Sequence, residues 1–317
     1  MTIMKIILTI LILIGLGAGA WLFLGQTDEA MPVPEERETP IESTAAGNVE
    51  RIEEEAVPET EVEVVEQYKN ETIIGQSVEG RDIVAYHYGN GDEDILFVAG
   101  MHGGYAWNTV LMAYQLMNYL EGGPDTIPAN TRVTVIPVLN PDGLYKVIGK
   151  EGRFSATDVT MTLAETIPGR FNANNVDLNR NFDCEWQQNA VWQDNAVSGG
   201  SSVFSEPESV ALRDYVLGNP PEAAVFWYSA VGGVFSSNCR TGVLNETRTL
   251  TNLYADASGY PAYEEFDFYE ITGDAVNWLA KLGIPAISVL QSNHDDVEWQ
   301  KNKKGIEALL NHLAQDA

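Results

Sequence analysis

Two cysteines in 317 residues, Cys184 and Cys239, are too few and too far apart for the CxxC pairs of a zinc ribbon or a redox motif. Basic residues are also scarce. Lys and Arg number 18 against 46 Asp and Glu, a formal net charge of −28, and no basic run interrupts that balance. Such a surface repels nucleic acid and anionic headgroups, so nucleic acid is not an expected partner. No internal repeat is present, which sets repeat architectures aside. No lipobox cysteine accompanies the N-terminal apolar run, so a lipid attached there is not expected.

What is present divides the chain into three. After Lys5, the stretch Ile6–Leu24 holds 19 uncharged, mostly apolar residues. That length is close to the roughly 20 residues of a membrane-spanning helix. Residues 1–25 are therefore expected to be a transmembrane anchor or a signal sequence. Small residues around Ala18 and Ala20 keep cleavage open, whereas the apolar continuation through Trp21 and Leu24 favours an anchor. Lys5 before the run and acids after it place the remainder outside the cytoplasm. Residues 26–67 are a different kind of sequence: Asp28–Glu66 contains 14 Asp and Glu and 2 Arg. A stretch so charged and so poor in aromatics cannot offset its ordering entropy, and it reads as a disordered, self-repelling spacer. Residues 68–317 have globular composition. In an oxidising compartment the two cysteines are expected to pair, with two buried free thiols as the alternative.

Within 68–317, short apolar runs at Ile83–Tyr88, Asp94–Gly100, Arg132–Leu139, Ala224–Tyr228 and Ile284–Leu290 read as strands. Helical spacing marks Trp107–Leu120, Gly273–Leu282 and Asn302–Ala314. A further helix through Val216 opens at Ser205, the expected N-cap. Alternating strands and helices predict an α/β fold: a single domain with a mixed, mostly parallel central sheet flanked by helices. In such folds the site lies beyond the carboxyl ends of the strands.

Several motifs fall at those strand ends. They are Ile74-Gly75-Gln76-Ser77-Val78-Glu79-Gly80-Arg81, Gly100-Met101-His102-Gly103-Gly104 and Asn140-Pro141-Asp142-Gly143. Val176-Asp177-Leu178-Asn179-Arg180-Asn181-Phe182 and Phe204-Ser205-Glu206-Pro207-Glu208 follow. Tyr269-Glu270-Ile271-Thr272-Gly273-Asp274 comes next, then Glu298-Trp299 with Asn302 and Gly305. In this order, over roughly 68–313, they resemble the zinc metallocarboxypeptidase (funnelin) family. The resemblance implies the carboxypeptidase-like α/β fold, a zinc cofactor, and peptide hydrolysis at a C-terminus.

The residues that would perform that chemistry are mostly replaced. The family holds zinc with His-x-x-Glu and a later His, and a further Glu takes the proton from the bound water. His102 fills the first position, but Tyr105, Tyr228 and Leu290 stand at the second, third and fourth. Leu290 can neither take a proton nor bind a metal. A relocated centre joining His102 to His294, Asp295 and Asp296 is the alternative. The resemblance further implies Asn179 and Arg180 as grips for a substrate carboxylate, Tyr269 as a closing side chain, and Arg153 as an oxyanion-stabilising arginine. For Arg180 the plainer expectation is an ion pair with Asp177 or Asp183. His102, Tyr105, Tyr228 and Leu290 are expected to meet in one pocket, where the phenols could hydrogen-bond His102.

Two functions follow. One is a non-catalytic extracytoplasmic pseudopeptidase that binds carboxylate-terminated peptides, with cell-wall stem peptides as candidates. The other is an active metallocarboxypeptidase with an altered metal centre.

Overall fold

The computed structural model describes residues 70–123 and 126–314. The segments expected to be an anchor and a spacer, 1–25 and 26–67, lie outside the described residues. Among those described, no helix is long and apolar enough to cross a membrane.

The chain order is β1 (Asn70–Gln76), β2 (Asp82–Tyr88), β3 (Glu93–Val98), α1 (Trp107–Gly122), β4 (Thr131–Ile136), α2 (Pro141–Ile148) and α3 (Leu163–Thr166). Then come β5 (Asn189–Trp192), β6 (Asn195–Ser198), α4 (Pro207–Gly218), β7 (Ala223–Ser229), β8 (Gly233–Ser236), α5 (Asn245–Ser258), β9 (Ala262–Tyr263), α6 (Ala275–Lys281), β10 (Ala286–Gln291) and α7 (Trp299–Leu313). Eight strands form one sheet in the order β1-β2-β4-β3-β7-β10-β8-β9. Its centre, β4-β3-β7-β10, is parallel, and antiparallel pairs flank it on both sides.

The period-2 alternation of strand side chains sorts the core onto two faces. Ile95, Phe97, Val225, Trp227, Ile287 and Val289 point toward α1, α5 and α7. Their neighbours Leu96, Val98, Phe226, Tyr228 and Leu290 point the other way, toward α4 and α6. Buried on both faces, the central strands lack polar alternation, as parallel strands do. Tyr228 and Leu290 are paired across β7 and β10, so register alone sets them side by side on the α4/α6 face.

Buried polar clamps hold the connecting segments. The Asp142 carboxylate, in the first turn of α2, accepts from Ser77 Oγ at 2.7 Å, Glu79 N at 3.0 Å and Arg81 Nη1 at 2.6 Å. Asn172 Nδ2 donates to Glu206 Oε2 at 2.7 Å and Glu208 Oε2 at 3.1 Å. The N-cap of α4 is Glu206. Ser205, expected there, spends its hydroxyl on Glu206 Oε1 at 2.7 Å. Helix α5 gave no clear sequence signal and is held by Leu250 and Tyr254 in the α1/α5/α7 core. Cys184 and Cys239 form a disulfide.

Candidate functional site

Strands β3, β7 and β10 run parallel, so the loops after them open at the same edge of the sheet. There the chain encloses a cavity of about 570 Å³, lined among others by His102, Tyr105, Arg170, Arg180, Tyr228 and Leu290. The expected convergence of His102, Tyr105, Tyr228 and Leu290 is thus seen. Asn179, Tyr269 and His294 line the same cavity.

His102 is carried in by a tight turn after β3. Gly103 has φ +42°, and a Cβ there would lie 2.6 Å from the carbonyl oxygen of Gly169. Only glycine permits that approach, and it brings the neighbouring Arg170 alongside the His102 loop. Arg170 donates from Nε at 2.9 Å and Nη2 at 2.8 Å to one oxygen, Asp177 Oδ2, in a buried ion pair. Its guanidinium also stacks 4.3 Å over the Trp192 ring. Burial opposes the Asp177 charge, but the guanidiniums of Arg170 and Arg180 outweigh it and hold the carboxyl well below its usual range.

His102 Nε2 stands 3.5 Å from Asp177 Oδ1, too far for a strong bond. Among the described residues neither ring nitrogen has a hydrogen-bond partner. Burial, then the nearby Arg170, lower its pKa to about 4, so the ring is neutral near pH 7. The phenols do not supply the missing bond. Tyr228 tilts its ring 5.4 Å from the imidazole, and its hydroxyl donates instead to Asn179 Oδ1 at 3.1 Å. Burial, then Asp274, raises the Tyr228 phenol well above its ordinary value. Tyr105 packs edge-on to Trp192 at 5.1 Å and against His294 at 4.5 Å.

Asn179 is engaged at both ends of its amide. Its Oδ1 also accepts from Ala275 N at 3.2 Å, and its Nδ2 donates to Asp274 Oδ2 at 2.8 Å. Arg180 gives Nε and Nη2 to Val191 O and Nη1 to Asn179 O, and its guanidinium still lines the cavity. It pairs with neither expected acid: Arg170 holds Asp177, and Lys281 holds Asp183. Arg153 is not in this cavity. It donates to Asn118 Oδ1 at 2.6 Å, stacks 5.0 Å from Tyr114, and lines a separate cleft with Arg81 and Lys150. The arginine that does enter the site is Arg170, which sequence reasoning passed over. Its signal was the Gly169-Arg170-Phe171-Asn172 run shortly before Asp177.

His294 Nδ1 contacts Tyr105 O at 3.2 Å, while Asp295 and Asp296 stay outside the cavity lining. Among the described residues no three His, Cys, Asp or Glu side chains converge as a metal-binding group. Chemically, this arrangement can hold an anion against buried guanidiniums. It has no carboxylate at position 290 to take a proton from water.

Comparison with known proteins places this geometry. Carboxypeptidase D of Drosophila melanogaster is 28% identical over 163 residues, 46% of this chain but only 10% of that protein. The chain therefore spans about a tenth of that relative. The carboxypeptidase A structure from Helicoverpa armigera superposes with a TM-score of 0.61 at 17% identity, covering 78% of this chain and 68% of that one. The murein-tripeptide amidase MpaA of Escherichia coli O157 superposes at 0.53 with 21% identity, covering 77% and 91%. These two likenesses establish the fold. The family profile described as zinc carboxypeptidase matches residues 62–288, well over half of the sequence, and the chain belongs to that family.

Proposed function

We propose that this domain is a zinc-independent member of its family that binds peptides by their terminal carboxylate. The observation that carries the reading is the contrast inside one cavity. Tyr105, Tyr228 and Leu290 encircle His102 where zinc ligands and a base would stand, above a floor of buried Arg170 and Arg180.

Zinc does not fit these residues. A catalytic zinc takes three protein ligands. The ring around His102 offers two phenols and an alkyl chain, the Tyr228 hydroxyl is committed to Asn179, and Asp177 is committed to Arg170. The floor suits an anion. Two guanidiniums face Asp177 and Asp274 there, and burial raises the Asp274 carboxyl against the opposing bonds from Asn277 and Asn179. A planar guanidinium matches a carboxylate bidentately. Peptide as the ligand class is supported by the names of the relatives, a carboxypeptidase and a murein-tripeptide amidase. Cell-wall peptides are the candidates if the Ile6–Leu24 run anchors the domain outside the cytoplasm.

Metal analysis and calorimetry on the purified full chain test this. The expected result is no stoichiometric zinc, no release of C-terminal residues, and binding of peptides that a C-terminal amide abolishes. Stoichiometric zinc that disappears in His102→Ala, or measurable turnover, sinks the reading in favour of a hydrolase with an altered centre.

A further inference from the structure

The cavity carries opposite charge at its two ends. Its floor is the Arg170 and Arg180 pair already described. Its mouth is the segment Tyr263–Glu270, Tyr-Glu-Glu-Phe-Asp-Phe-Tyr-Glu, in which aromatics and acids are interleaved. The aromatics pack against one another and the sheet: Tyr263 stacks on Phe235 at 4.6 Å, and Phe266 meets Phe235 at 5.3 Å and Tyr269 at 4.9 Å. Of the acids between them, Glu264 accepts from Arg248 Nε at 2.7 Å, and the other three face solvent. Glu265, Asp267 and Glu270 are exposed and line the cavity. Glu270 receives only a 3.5 Å contact from Gln187. The rim cation Arg240 is already paired with Glu185.

A set of exposed acids is ordinarily a solvated face. Here a second, independent feature points to an occupant. His102 is only 6% exposed, lines the same cavity, and has no hydrogen-bond partner at either ring nitrogen among the described residues. Buried polar groups are normally satisfied, so the cavity that these acids and arginines line contains an unmet bond. Its volume, about 570 Å³, falls in the range of roughly 300–1,000 Å³ that encloses most of a drug-sized ligand. A di- or tripeptide is of that size.

Resting on the function proposed above, we infer that the site takes a short free peptide read at both ends. The terminal carboxylate lies on the Arg170–Arg180 floor, and the α-ammonium sits among Glu265, Asp267 and Glu270. His102 meets the backbone between them. A long polypeptide would carry its amino terminus away from the mouth and lose the second contact.

Calorimetry with trialanine tests this, because its only cation is the α-ammonium. The full chain and a Glu265→Gln/Asp267→Asn variant are each titrated with trialanine, N-acetyl-trialanine and trialanine amide. Both substitutions are at exposed positions, and a thermal melt checks the fold. Acetylation is expected to weaken binding to the unaltered chain by about three- to tenfold, the worth of one or two partly screened ion pairs. The double variant, left with Glu270 alone, should bind free trialanine more weakly and distinguish it less from the acetylated form than the unaltered chain does. Amidation should weaken binding to both proteins. If free and acetylated peptides bind alike while the amide does not, two-ended recognition is overturned and the carboxylate reading stands. If acetylation weakens binding to the double variant as much as to the unaltered chain, the assignment to the mouth is overturned. If no form binds, both readings fall together.

Discussion

The floor of the cavity and the ring around His102 are built from different materials. In the floor, polar groups hold one another: Arg170 grips Asp177, and Asn179 is shared by Tyr228, Ala275 and Asp274. In the ring, Tyr105 and Leu290 contribute ring and alkyl packing, and His102 lacks a hydrogen-bond partner among the described residues. The difference teaches that the backbone frame and the chemistry mounted on it are separable. Strand ends deliver their side chains to one cavity, whatever those side chains are.

The comparison is broken most directly by uncoupling the floor. Asp177→Asn leaves Arg170 buried without its carboxylate, and such a loss costs about 3–5 kcal/mol. Chemical denaturation should show that drop, whereas Tyr105→Phe in the ring should cost under about 1 kcal/mol. Equal losses would erase the distinction. Next in size is the seam between the two. Tyr228→Phe removes a buried hydroxyl from Asn179 and should cost about 1–2 kcal/mol, read by the same method; no change would mean that the ring does not brace the floor.

A smaller effect, and one that varies with pH, is expected outside both regions. Burial opposes the Glu298 charge, but bonds from Lys301, Tyr260 and Ser292 outweigh it and hold the carboxyl at about 2. A pKa depressed on folding adds stability above the unfolded value near 4.5 and loses it as pH falls toward about 2. Glu298→Gln should therefore melt lower than the unaltered chain at pH 6, with the gap closing across that acid window. A gap constant with pH would assign the effect to packing. Smallest of all, Arg153→Ala should shift stability by under about 0.5 kcal/mol and leave peptide affinity unchanged; a loss of affinity would return Arg153 to the site.

Much of this was legible in the residues. Apolar runs located the strands, since burial on both faces leaves few other readings for Asp94–Gly100 or Ile284–Leu290. Strand-end motifs located the cavity that His102, Tyr105, Tyr228 and Leu290 line. Arg170 was hidden for a physical reason. It reaches Asp177, seven positions on, through irregular 3₁₀ turns at Ile167–Arg170 and Leu178–Arg180, where no helix or strand period applies. Helix α5 was hidden because threonine and asparagine dilute its pattern, and its packing against the core supplies what propensity does not. Ser205 matched a cap by residue type, yet Glu206 took the place because Asn181 Oδ1 accepts from its backbone N–H.

The lateral pairing of Tyr228 with Leu290 has a consequence for substitution. A carboxylate restored at 290 alone would be buried against a phenol, and a buried charge without a partner is costly. A histidine restored at 228 alone would take away the hydroxyl on which Asn179 leans. Each change is penalised until the other has been made. The two positions are coupled, so substitutions at 228 and 290 are expected to be non-additive.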